Sequence, residues 1–121
     1  MNKKLRFPIL GLLLLAAGCA NSTVGPGAGA AQAVVKGNVN DVNQRAQAVF
    51  QKMNIQITGS SSKNSGNELQ LTGKMGDNDV TVIMDNAPNS TTNIEVDAGK
   101  NLLNGNRDLA KEVLTRIVQQ G

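Results

Sequence analysis

The sequence predicts an α+β domain: one antiparallel sheet of about five strands with two helices on one face, in the order β-α-β-β-β-β-α. Three observations carry this. Five short segments alternate apolar and polar residues, which is the period of a half-buried strand. Two longer segments repeat apolar residues at helical spacing, one after the first strand segment and one at the C-terminal end. The links between the last four strand segments are short and rich in Gly, Asn, Ser and Pro, as antiparallel hairpins require.

The first strand is read from Ala33, Val35, Gly37 and Val39, which alternate with Gln32, Val34, Lys36 and Asn38. Asp41, with Gln44 three residues on, has the spacing of a helix capping box, and Val42, Ala46, Val49, Phe50 and Met53 then mark one face of a helix over residues 42–53. Four strands are expected at Ile55–Thr58, Glu68–Thr72, Val80–Met84 and Thr92–Val96. Their links would be the segments 59–66, 73–78 and 86–90. Leu109, Val113 and Ile117, with Ala110, Leu114 and Val118, make the second helix, helped by a Glu112 to Arg116 pair one turn apart. Polar alternation along every strand leaves one sheet face wet, so both helices belong on the other. Phe50 is read as the aromatic anchor of that aliphatic core.

Ahead of this domain lies a different kind of sequence. Residues 1–18 read as a signal segment, with Lys3, Lys4 and Arg6 preceding the apolar run Phe7–Ala17. That run has about a dozen residues, whereas a spanning helix needs about 20. Residues 19–32 follow with small residues and no charge, a composition that behaves as a flexible tether, and the folded domain is expected over 33–121.

The junction Leu15-Ala16-Ala17-Gly18-Cys19 resembles the lipobox of bacterial lipoproteins. The resemblance implies a diacylglyceryl thioether on Cys19, cleavage before it and acylation of the new amine. Several acyl chains anchor a protein stably where one holds it only marginally. Ala20, rather than an Asp, follows the cysteine, which by the same resemblance implies export to the outer membrane, facing the periplasm.

Charge and composition narrow the function classes. The formal net charge is +3, yet all of it resides in Lys3, Lys4 and Arg6; residues 19–121 carry nine bases and nine acids. The basic pI is therefore no footprint of nucleic-acid binding. There is no His, Trp or Tyr, and Cys19 is the one cysteine, so imidazole catalysis and an internal disulfide are excluded. No metal and no cofactor is expected.

Four patterns imitate chemistry. Ser60-Ser-Ser-Lys63 and Ser65-Gly-Asn67 copy two elements of penicillin-binding proteins, but without a third motif and crowded into one expected loop. Asp77-Asn-Asp79 lacks the remaining ligands of a calcium loop. Gly25, Gly27 and Gly29 follow no strand and complete no phosphate-binding pattern. Glu68, Glu95 and Asp97 are the carboxylates on which an envelope hydrolase would rely, read here as solvated surface.

From Val34 to Gln119 the chain resembles a family of small bacterial lipoproteins classed as domain of unknown function 3568. The resembling pieces are Val35-Lys-Gly37, the hairpin strands, and Thr92–Val96 running through Gly99 into Asn106–Ile117. The resemblance implies no activity and no site residues. The layout also distantly resembles the helix-grip domains of a lipoprotein in the outer-membrane β-barrel assembly machine, which would imply an accessory role in assembly. The expectation is a non-catalytic, membrane-tethered envelope module that contacts another envelope protein. A carboxylate hydrolase and a carrier of a small apolar ligand are the alternatives.

Overall fold

The computed structural model describes residues 29–101 and 104–120. The expected signal segment, Cys19 and nearly all of the expected tether lie outside the described residues. Strand β1 runs Ala30–Lys36 and is followed by helix α1, Val39–Lys52. Next come β2, Gln56–Lys63, a short 3₁₀ turn at Asn64–Gly66, β3, Glu68–Met75, and β4, Asn78–Ala87. Strand β5, Thr91–Gly99, and helix α2, Arg107–Gln120, complete the chain.

The five strands form one fully antiparallel sheet in the order β1-β5-β4-β3-β2. The α+β class and the element order are those read from the sequence. Four strands form a meander, while β1 closes the sheet beside β5, the last strand to be made. Helix α1 must therefore carry the chain from one sheet edge to the other, which a strand pair joined by a tight turn cannot do.

Register places the buried strand residues of the core on one face; Ala30 and Gly99 are also buried but lie on the other, opposite Asp97 and Asp79. Val82 lies between Leu71 and Val96, Met84 between Leu69 and Ile94, and Ala31 opposite Val96. Over them pack Val42, Ala46, Val49 and Phe50 from α1 and Ala110, Val113, Leu114 and Ile117 from α2. Phe50 is fully buried, as an anchor should be. Gly73 makes room for it: a Cβ there would stand 2.9 Å from the Phe50 ring and 2.7 Å from Ile55 Cγ2. The C-terminal ends of the helices meet, where Lys52 Nζ donates to Gln120 Oε1 at 3.4 Å.

Several boundaries differ from expectation for identifiable reasons. Helix α1 begins three residues early because Asn38, not Asp41, caps it: Asn38 Oδ1 accepts the Asp41 N–H at 2.9 Å. Asp41 instead sits in the first turn, where its charge favours the positive end of the helix dipole. Strand β1 reaches back to Ala30, into a stretch whose composition reads as tether, because Ala30–Gln32 find partners in Asp97–Glu95 of β5. Strand β2 runs on through Gly59–Lys63, which reads as loop, because Thr72–Glu68 of β3 supply a continuous ladder of partners. A bulge between Ile57 and Gly59 leaves Thr58 as the extra residue. The β3–β4 link contracts to Gly76-Asp77, with φ of 61° at Gly76.

Helix α1 ends in a Schellman motif, with Ile55 N–H donating to Phe50 O at 2.8 Å and Asn54 N–H to Gln51 O at 3.2 Å. The left-handed position, φ 60°, is held by Asn54 where glycine is usual. Asn54→Gly should therefore raise the unfolding free energy by about 0.5–1 kcal/mol. Phe50→Ala should lower it by about 3–5 kcal/mol, because truncation leaves a cavity in the core that joins sheet and helices. Urea unfolding followed by circular dichroism measures both.

Candidate functional site

The face of the sheet turned away from the helices is where the chemically equipped side chains collect. Alternation along each strand puts them there: residues flanking a buried position point the opposite way. On this face β5 presents Asn93, Glu95 and Asp97, β4 presents Thr81, Ile83 and Asp85, and β3 presents Glu68, Gln70 and Thr72. None of these is fully buried, and most are half-buried by their strand neighbours. Ile83 stands near the centre, between Glu95 and Gln70.

The three carboxylates that an envelope hydrolase would need share this face but not a cleft. Glu95 and Asp97 are two residues apart on β5, so their Cα atoms are about 7 Å apart. Glu68 is two strands away, about 10 Å across the sheet. Glu95 Oε1 accepts from Gln32 Nε2 at 3.4 Å and Glu68 Oε1 from Asn64 Nδ2 at 3.5 Å, both contacts with neutral amides. No wall of protein among the described residues rises over them to exclude water, which is what gives a catalytic carboxylate pair its force.

The other imitated motifs come apart in the same way. Ser60 lies opposite Leu71 and Lys63 opposite Glu68, so the two project from opposite faces of β2. A serine and lysine three apart meet on a helix, not on a strand. Asp77 occupies the β3–β4 turn and Asp79 is engaged by Lys74, its cross-strand partner, at 3.0 Å. Among the described residues no three acids come together as a metal site would require.

Tertiary structure partitions a charge that the sequence leaves balanced. The uncovered sheet face holds five acids, Glu68, Asp79, Asp85, Glu95 and Asp97, against Lys36, Lys63 and Lys74. The helices hold Arg45, Lys52, Arg107, Lys111 and Arg116 against Asp41, Asp108 and Glu112. Arg116 is tied to Glu112 at 3.1 Å within α2. An open depression on the outer side of that helix is lined by Lys111, Glu112, Thr115, Arg116 and Gln119. It lies along one helix surface, and nothing apolar closes it.

The interior is filled by aliphatic side chains from both layers. Among the described residues its one buried polar side chain is Thr92, whose hydroxyl donates to Gly37 O at 2.8 Å and so ties β5 to the start of the crossover. Close by, Asn86 holds three segments together. It donates through Nδ2 to Asn67 Oδ1 at 3.0 Å, accepts the Val39 N–H through Oδ1 at 3.3 Å, and its own N–H reaches Asn67 O at 2.9 Å. Nothing in the alternation of β4 marks Asn86 for this, since its role depends on two loops far away in sequence.

No protein-family model matches the chain, and no curated protein matches it.

Because Glu68, Glu95 and Asp97 are only half-buried and form no ion pair among the described residues, Glu68→Gln, Glu95→Gln and Asp97→Asn should each change the unfolding free energy by less than about 0.5 kcal/mol. Thr92→Val, which takes the hydroxyl partner from the half-buried Gly37 O, should cost about 1–3 kcal/mol. Denaturant titration of the four variants side by side checks the contrast.

Proposed function

We propose that this protein is a membrane-tethered module of the bacterial cell envelope that works by contact with an envelope protein rather than by catalysis. The observation that carries the non-catalytic part is the dispersal of Glu68, Glu95 and Asp97 over an uncovered sheet face, above a core that is already filled. A hydrolase needs two such groups converging on one bond in a shielded cleft. A carrier of apolar ligands needs empty apolar volume, and the aliphatic side chains occupy the space between sheet and helices.

The tether rests on the sequence around Cys19, and the fold is compatible with it in one respect. The folded domain is entered at Gly29, whose carbonyl accepts from Ala98 N–H at 2.9 Å, so the chain arrives at the end of the sheet where β1 begins and β5 ends. Nine residues lie between that point and Cys19, a reach of about 15–20 Å if the segment behaves as a flexible linker. The domain would thus sit close to the lipid surface. Among the described residues no helix is long and apolar enough to cross a membrane.

Cys19→Ala should shift the protein from the membrane fraction to the soluble envelope fraction and abolish incorporation of labelled fatty acid. Unchanged fractionation and labelling would overturn the tether. Crosslinking in intact cells, followed by purification of the lipidated protein, should recover a protein partner; recovery of lipid alone would overturn the contact role.

A further inference from the structure

The chain contains one Asn-Gly dipeptide, Asn104-Gly105, and the fold puts it where three stretches of backbone converge. Both residues are exposed. The bridge between Gly99 and Gly105 is closed by their neighbours: Lys100 N–H donates to Asn104 O at 3.0 Å and Asn106 N–H to Ala98 O at 2.7 Å. In an antiparallel pair of this kind the Gly105 N–H points away from Gly99. Among the described residues no hydrogen bond engages it. The Asn104 backbone N–H is held by Asn101, through O at 3.2 Å and Oδ1 at 3.0 Å, while its side-chain carboxamide makes no hydrogen bond there. A carboxamide and the backbone nitrogen that follows it are thus adjacent, hydrated and unengaged. Glycine at 105 also removes the Cβ that would crowd that nitrogen.

We propose that Asn104 is a self-modification site, deamidating through a cyclic imide formed with the Gly105 nitrogen. The Gly105 N–H gives its proton to water, and the nitrogen attacks the Asn104 side-chain carbonyl carbon. A carbon–nitrogen bond forms, the bond to the side-chain nitrogen breaks, and that nitrogen leaves with a proton as ammonia. Water then adds to either carbonyl of the five-membered ring. One opening gives Asp at position 104; the other gives isoaspartate, whose main chain runs through the former side-chain carbon. Water is the only co-reactant, and nothing is oxidised or reduced.

The two products differ in what they do to the fold. Aspartate adds a charge to an exposed loop. Isoaspartate adds a carbon to the main chain at a place without slack: a Cβ on Gly99 would stand 2.6 Å from Asn104 O and 2.7 Å from Gly105 Cα, and one on Gly29 would stand 3.0 Å from Gly105 Cα. The next residue, Asn106, caps α2, with Oδ1 accepting from Leu109 N–H and O accepting from Ala110 N–H, both at 3.1 Å. Lengthening the chain at 104 therefore pulls on Asn106, loosens the first turn of α2 and frees the Gly29 end of β1. Asn64 and Asn89 are each followed by serine, whose Cβ shields the nitrogen, and Asn64 donates its amide to Glu68.

The test is ageing of the purified full-length protein in mildly alkaline buffer, native and unfolded in urea. Intact mass, peptide mapping and labelling by a protein-isoaspartate methyltransferase are the readouts. Asn104 should be modified first, with both isomers present, at a native rate within about tenfold of the unfolded rate, because the carboxamide and the Gly105 nitrogen are already exposed in the folded chain. Asn104→Gln, with its carboxamide one carbon too far for the five-membered ring, should remove the modification. A native protein that stays intact at 104 while the unfolded chain deamidates would overturn the proposal. Amide exchange at Ala98, Asn106 and Ala110 should rise at least about tenfold in the isoaspartate form and stay unchanged in Asn104→Asp. Equal exchange in the two would overturn the main-chain account.

Discussion

The structure depends on covering one apolar face of a five-stranded sheet with two short helices. Neither layer is stable alone. A helix of 14 residues is marginal in water, and a sheet with one apolar face must bury it against something. The solution is a core with a single aromatic residue. Phe50 is therefore placed where it spans both layers, over Gly73 and beside Ile55, and the remaining volume is filled by valine, isoleucine, leucine, methionine and alanine. Valine and isoleucine suit strands because their branched side chains pack well on a pleated surface, so an aliphatic core and a largely β-sheet domain are two consequences of one composition.

The same constraint organises everything outside the core. Because one sheet face is committed to the helices, the polar half of every strand is delivered to the other. That is why Glu68, Asp85, Glu95 and Asp97 share a surface, without any chemistry drawing them together. Such a surface is partly open to water along every strand. Closing the sheet with β1 beside β5 also brings the N-terminal approach at Gly29 against the β5–α2 connection. Gly29 and Gly99 are found there because a Cβ on either would run into neighbouring backbone.

Much of this was legible from residue patterns. Alternation in Val80–Met84 and Thr92–Val96 identified strands and the faces they bury, and the helical spacing of Val42, Ala46, Val49 and Phe50 located α1 and its anchor. Less legible were the ends. Asp41 reads as the cap, and that Asn38 serves instead is decided by where the preceding strand releases the chain. Ser60–Lys63 has no apolar signal at all, because β2 is an edge strand exposed on nearly all its residues, and its strand character comes from hydrogen bonds to β3. The ties made by Thr92 and Asn86 had no local signal, since each depends on a partner about 20 to 55 residues away.

By itself the sequence determined which segments are strands and helices, which of their faces are apolar, and that the chain lacks the residues for imidazole or disulfide chemistry. These follow from local periodicity and composition, which any window of the chain contains. Only the tertiary structure decided that β1 pairs with β5, that an evenly charged chain becomes acidic on its sheet and basic on its helices, and that Asn104-Gly105 lies against the entry point of the domain. Those are matters of distance between residues far apart in the chain, set by how the sheet closes and by what its one apolar face must bury.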